Sequence, residues 1–309
     1  MAASGTSQEV TIEGRRLKLS NLDKVLYPEA GFTKGQVLDY YTRIAPALLL
    51  HLRQRPLTLK RYPNGVDAHF FYEKNCPKHR PDWVNTVGVW SQRNKADVNY
   101  CLADDLPTLV WVANLASLEL HTMLSHADDI QRPSMVVFDL DPGPPATVVE
   151  CAQVALWLRE LLDDLGGLQA FPKTSGSKGL QLYVPLNTPV TYNDTKAFAH
   201  ALARLLEERH SGEVLSVMTK ELRKGKVFID WSQNDDSKTT VCVYSLRARP
   251  RPTVSTPVTW DEVENGAKVG DPAVLAFEAD EVLARVERDG DLFAPVATLE
   301  QALPGGTPV

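Results

Sequence analysis

Asp139 and Asp141 stand two residues apart in MVVFDLDPG, residues 135–143. On a strand, positions i and i+2 face the same side, so these carboxylates project together. They repel unless a cation sits between them, and oxygen ligands of this kind suit Mg²⁺ or Mn²⁺, with substrate phosphates completing the shell. A pair of capping acids before a helix would leave the same pattern. A third acid, Asp230, follows the apolar run of KVFIDW, where burial is costly unless the charge is paired or bound to a metal. Pairing with Arg223 is the plainer reading of Asp230 alone. Three acids from two strands would make the clamp of a two-metal phosphoryl-transfer site.

Between these strands lies KTSGSKGLQLYVP, residues 173–185. Ser175, Gly176, Ser177, Lys178 and Gly179 offer backbone N–H groups, hydroxyls and an ammonium, the donors that a triphosphate needs. The turn lacks the G-x-x-x-x-G-K-[ST] pattern and precedes a strand, so it is no Walker A loop. Downstream, Lys220, Arg223, Lys224, Lys226, Lys238, Arg247, Arg249 and Arg251 surround the third acid in sequence. One basic run is usually a solvated face; several flanking three acids fit an anionic substrate plus metal. A second basic block has Lys24 and Lys34 on either side of a turn, then Lys60 and Arg61 ahead of Phe70, Phe71 and Tyr72. Cations hold phosphates and aromatic faces stack on bases, although at most two of three successive side chains share one strand face. His121 reads as a core histidine. Cys76 and His79 have no second ligand pair and make no zinc site.

The elements that must position these groups are mixed. Apolar spacing predicts helices over Thr33–Leu52, with Thr33 as N-cap, over Leu106–Met123, Pro145–Leu165, Thr195–Glu208 and Glu278–Val286. Strands are expected at Met135–Leu140, Leu180–Val184, Val227–Trp231 and Val241–Tyr244. The regular βαβ rhythm of a doubly wound sheet is missing. Pro250–Pro257 reads as a linker with too little behind it for an independent domain.

The chain has 309 residues, 43% hydrophobic and 23% charged, enough to bury a core without staples. No secretory signal is visible at the N-terminus, and the longest apolar stretch is too short for a membrane span, so no membrane partner is expected and the cytoplasm is the expected location. Four cysteines without a C-x-x-C pair suit a reducing compartment. A net charge of −6 argues against nucleic acid until it is counted locally. The balance is +6 over residues 1–100, −9 over 101–172, +5 over 173–251 and −8 over 252–309. Local field, more than net charge, concentrates a polyanion at a surface.

Taken in order, LDKVLYP, YPNGVD with FFYEKN, PDWV, NLASLELH, VFDLDPG, TSGSKGL, KVFIDWSQN with SKTT, and YSLR resemble the primase-polymerase domain of bacterial ATP-dependent DNA ligase D, within the archaeo-eukaryotic primase superfamily. The resemblance runs from about Leu19 to Leu292. It implies an α+β fold of two subdomains around a central antiparallel, RRM-like sheet flanked by helices. It divides residues 1–302 into a DNA-binding part (about 10–130), a catalytic part (about 131–250) and a C-terminal extension (about 251–302), with 303–309 a flexible tail.

The implied activity is DNA-templated nucleotidyl transfer with Mn²⁺ or Mg²⁺. One or a few nucleotides, NTP over dNTP, would be added at gaps or broken ends carrying a 5′-phosphate, as in non-homologous end joining. Ku and a separate ligase are the implied partners, and the bacterial nucleoid the implied place. Short-gap filling in excision repair and a non-catalytic DNA-end-binding module are the alternatives. A haloacid-dehalogenase-like phosphatase is disfavoured by Pro142-Gly143-Pro144 after the second Asp. By resemblance, Asp139, Asp141 and Asp230 hold metal. His121, Ser175, Lys178, Arg223, Lys238 and Arg247 surround the triphosphate. Lys24 and Lys34 grip the 5′-phosphate, Lys60 and Arg61 lie near the template or substrate, and Phe71 and Tyr72 form a template platform. Gln181 stands where the family usually has His. No K-x-D-G ligase motif occurs, which implies a stand-alone polymerase or an excised domain.

Overall fold

A computed structural model describes residues 7–304, so most of the expected tail, residues 305–309, lies outside the described residues. Two sheets share one continuous apolar core. The first runs, in space, Phe171–Thr174, Leu180–Pro185, Met135–Pro142, Val227–Asp230 and Val214–Leu215. Its pairs are antiparallel except the last, which is parallel, so the sheet is mixed and not the purely antiparallel one expected. The Met135–Pro142 strand is central because Met135–Phe138 and Leu140 are buried on both faces.

Helices Val148–Asp164 and Tyr192–Arg209 pack against this sheet and each other. Both begin at a capping box, Thr147 with Glu150 and Thr191 with Asp194, which satisfies otherwise orphaned N–H groups. Thr33 and Gln36 do the same for Lys34–Leu52, the N-cap predicted from sequence. Among the described residues no helix is long and apolar enough to cross a membrane.

The second sheet orders Thr240–Val241, Ser117–Thr122, Leu57–Arg61, Ala96–Cys101 and Thr86–Ser91, with Phe71–Glu73 paired to Leu57–Arg61. Here the sequence reading needs correction. The helix expected over Leu106–Met123 ends at Asn114; Ala116 turns the chain at φ 57°, and Ser117–Thr122 continues as a strand. An unbroken apolar run suits a buried helix or strand equally, and pairing with Leu57–Arg61 settles it.

Pro250–Pro257 is not a free linker. Val254, Ser255 and Thr256 are buried, Leu246 bridges to Val254, and Thr174 and Thr256 exchange backbone and side-chain hydrogen bonds. The cysteines also depart from expectation, because Cys76 and Cys101 form a disulfide. Their separation of 25 residues hides a contact made when the Cys76 N–H donates to Asn99 O, beside the end of the Ala96–Cys101 strand.

Candidate active site

The site forms where the two sheets meet. Asp139 lies directly opposite Asp230 across the antiparallel pair and opposite Gln181 on its other side. Asp139 is half-buried, and loss of solvent around its carboxyl, followed by the charges of Asp141 and Asp230, pushes it up to about 7. Burial and Asp230 raise Asp141 as well, although Arg223 and Lys178 pull the other way. Asp230 is turned aside: Oδ1 accepts from Ser232 N and Oγ, and Oδ2 accepts from Gln233 Nε2. Asp230 is thus not paired with Arg223, whose guanidinium lies 3.9 Å from Asp141 and 3.9 Å above the Phe228 ring. Among the described residues no group of three or more His, Cys, Asp or Glu converges tightly enough to hold one ion.

The donors for a triphosphate face these acids across a cavity of about 190 Å³ that His121, Asp139, Asp141, Ser175, Lys178, Gln181, Thr240 and Arg247 help to line. Ser175 Oγ accepts the N–H groups of Ser177 and Gly179, which leaves its own proton free to donate outward. Arg247 donates to Ser175 O, tying this turn to the second sheet. Gly176 has φ 66°, and a Cβ there would stand 2.5 Å from Val254 C; at Gly179 it would stand 2.1 Å from Leu140 O. Only glycine allows the turn to sit this close to Val254 and to the Met135–Pro142 strand. Lys238 reaches the acids indirectly, donating to Ser232 Oγ at 2.5 Å, which donates to Asp230.

His121 belongs to a cluster around Glu119, a residue that sequence reasoning passed over. Glu119 is 2% exposed and lies 3.2 Å from Lys60 Nζ, 3.0 Å from His121 Nε2 and 3.3 Å from Arg247 Nε. The Ala248 N–H and Tyr62 OH also donate to it. Burial alone would raise the Glu119 carboxyl, but the His121 bond and the charges of Arg247 and Lys60 overrule it and hold the group far below its ordinary range. Burial lowers the His121 imidazole, so a neutral ring faces the cavity at neutral pH. The signal in sequence was the alternation in SLELHT: Leu118 and Leu120 point one way, Glu119 and His121 the other.

The N-terminal basic residues divide between faces. Lys60 pairs in register with Tyr72 and Arg61 with Phe71, so the two aromatics do not form one continuous platform. Lys60, Phe70, Tyr72 and His121 share a side, with Lys60 Nζ 4.5 Å from the Phe70 centroid and the Tyr72 and His121 rings 6.1 Å apart. Arg61 lies over Phe71 and donates to Glu73 at 2.7 Å. Lys24 and Lys34 come together across the turn, where Lys34 N donates to Lys24 O. Lys34 Nζ donates to Ser20 O, and Lys24 Nζ to Asn64 Oδ1. Burial and then the charges of Lys24 and Arg61 lower the Lys34 ammonium to about 8. A larger cleft, about 1200 Å³, opens beside Tyr72 along Thr86–Ser91, with Trp90 exposed at its wall. None of the three aspartates lines it.

A mixed sheet and an antiparallel sheet that bring paired strand acids to a small cationic turn define an α+β fold with helices packed on its mixed sheet, and comparison with known proteins assigns its family. The structure is similar to the polymerase domain of Mycobacterium tuberculosis ligase D in complex with DNA, with a TM-score of 0.85 at 42% identity, covering 93% of this chain and 99% of that one. The multifunctional non-homologous end joining DNA repair protein LigD of M. tuberculosis is 43% identical over 92% of this chain. The bifunctional LigD of Bacillus subtilis is 31% identical over 90%. A sequence model described as the primase-polymerase domain of LigD matches residues 33–293, and the chain belongs to this family. It spans 38% of the M. tuberculosis protein and 44% of the B. subtilis one.

Proposed function

We propose that this chain is a DNA-templated nucleotidyltransferase that adds one or a few nucleotides, ribonucleotides over deoxyribonucleotides, to gapped or broken DNA ends during non-homologous end joining. The observation that carries the reading is the single cavity shared by Asp139 and Asp141 with Ser175, Lys178, His121 and Arg247. Acids and cations that line opposite walls of one small space match a metal-bound triphosphate. The strand order around Met135–Pro142, with two helices packed together against the sheet, supports the RRM-like description of the catalytic part.

Asp139 and Asp141 fit a hard divalent cation, because their carboxyls are both raised by burial and by neighbouring acids. Asp230 joins them only by exchanging its bonds to Ser232 and Gln233. Bound Mg²⁺ or Mn²⁺ would supply charge neutralisation for the attacking 3′-oxygen and the departing pyrophosphate. The chain itself does the holding. Ser175 Oγ and the Gly176 and Lys178 N–H groups meet phosphate oxygens, and Lys178, Arg223 and Arg247 balance their charge. Neutral His121, whose one N–H is committed to Glu119, offers Nδ1 as an acceptor to a hydroxyl of the nucleotide. Lys24 and Lys34 form the 5′-phosphate grip, while Tyr72 and Phe71 border the path of the template.

Primer extension on a short gap tests this, comparing NTP with dNTP, Mn²⁺ with Mg²⁺, and 5′-phosphate with 5′-hydroxyl. The expected outcome is ribonucleotide incorporation that needs the metal and the 5′-phosphate, and a fall of at least roughly a hundredfold in D139A/D141A. Tight binding to 5′-phosphorylated gaps without any incorporation would instead make it an end-binding module.

A further inference from the structure

Lys173 is fully buried, and no carboxylate lies within ion-pair distance of it among the described residues. It ends up in neither the cavity wall nor any role assigned above. Its Nζ donates to Gln181 Oε1 at 2.6 Å, to Ser255 Oγ at 2.6 Å and to Val241 O at 3.2 Å. The Ser255 hydroxyl donates onward to Thr174 O at 3.0 Å, so its lone pair is what Lys173 meets. Gln181 in turn donates from Nε2 to Asp139 Oδ1 at 3.0 Å.

With Asp139 a carboxylate, as metal binding requires, and Lys173 an ammonium, the directions in this chain are fixed. An ammonium has donors only, whereas a glutamine amide has an acceptor end and a donor end. Turned by 180°, the Gln181 amide would set its NH₂ against the Lys173 ammonium and its oxygen against Asp139. Both contacts would then be like against like. With Lys173 in place, only the orientation that donates to Asp139 survives. We propose that Lys173 is a positioning residue: it fixes the orientation of the Gln181 amide and through it aims the Asp139 carboxylate at the metal-bearing side of the cavity.

This inference rests on the nucleotidyltransferase reading for its catalytic consequence but not for its test on metal binding. Partners that orient a metal-ligating side chain typically alter affinity by about 10–100-fold. Lys173→Met keeps the aliphatic stem and frees the amide to turn. In electron paramagnetic resonance titration of the nucleotide-free protein, K173M should weaken Mn²⁺ binding about 10-fold. The discriminating measurement is a double-mutant cycle with Gln181→Met, which has no orientation to fix. If Lys173 acts through the amide, K173M costs nothing further in the Q181M background. Losses that multiply would show a structural role independent of Gln181 and overturn the proposal.

Extension kinetics add a second readout, with kcat falling in K173M while KM for NTP changes less. A wild-type chain that binds Mn²⁺ but extends no primer sinks the proposed function and leaves the binding cycle as the test of Lys173. Should K173M fail to fold, Q181M alone decides, because it keeps Lys173 and its bonds to Ser255 and Val241. Wild-type Mn²⁺ affinity in Q181M would mean that the amide aims nothing.

Discussion

Glu119 is a buried carboxylate and Asp139 a half-buried one, on strands of adjoining sheets, and they are driven in opposite directions. Glu119 is ringed by Lys60, His121 and Arg247; Asp139 faces Asp141, Asp230 and one neutral amide. Burial raises both, so the neighbours decide. A buried acid with its cations already in the chain is complete, whereas one among other acids gains from a cation supplied from outside. Completeness thus separates a residue that holds a site in shape from the residues proposed to hold a ligand.

The largest test of that contrast is Glu119→Gln, which leaves Lys60, Arg247, His121, Tyr62 OH and the Ala248 N–H around a neutral amide. Urea denaturation should show a loss of about 3–5 kcal/mol, the cost of breaking a buried ion pair by removing one partner. A loss below 1 kcal/mol would mean that the cluster is well solvated. Asp139→Asn should do the reverse, stabilising the metal-free protein on the order of 1–2 kcal/mol near pH 7 while abolishing extension.

The pH dependence follows the same opposition. Because the folded Asp139 carboxyl is raised to about 7, its contribution is fully present below its ordinary value of 3.8 and is lost as pH rises through 7. Metal-free Tm should therefore fall over that range, recover with Mg²⁺, and lose part of its slope in D139N. Glu119, held low, contributes stability above its ordinary range and surrenders it only in strong acid.

How much of this contrast could be read in advance differs between its halves. The aspartates were legible because alternation on a short apolar strand fixes which side chains point together. Glu119 was hidden inside a run from Leu106 to Met123 whose composition favours burial without choosing helix or strand. The choice is made by the φ of 57° at Ala116 and by pairing with Leu57–Arg61, both long-range consequences. For the same reason the Cys76–Cys101 contact and the burial of Val254–Thr256 were not visible, since each depends on a neighbour supplied from elsewhere in the chain.

Smaller effects sharpen the comparison at the Lys24 and Lys34 pair. Lys24→Ala and Lys34→Ala should each weaken binding to a 5′-phosphorylated gap by roughly tenfold, the scale of a charged hydrogen bond, and leave a 5′-hydroxyl gap nearly unchanged. Equal losses on both substrates would reduce them to general contacts. Since Lys34 loses its proton near pH 8, the preference for phosphate should also fade above that pH, measured by fluorescence anisotropy. The mildest change is Gln181→His. An imidazole can accept from Lys173 and donate to Asp139, so folding should persist and nucleotide affinity shift by only a few-fold, on the order of 1 kcal/mol or less. Wild-type affinity would show that the position does not sense the nucleotide.

The stretch that closes over the Ser175–Gly179 turn has one more consequence. Thr253 donates to Gly176 O, Ser255 receives Lys173, and Thr256 N donates to Thr174 Oγ1. A proline-rich segment usually invites proteases, yet here the backbone a protease must grasp is already committed to neighbours on both sides. Limited digestion should spare it while the native fold lasts, and a cut there would release no self-sufficient piece. It would remove the bonds that support Thr174 and Gly176, so cleavage at this stretch would report the loosening of the turn that carries Ser175 and Lys178.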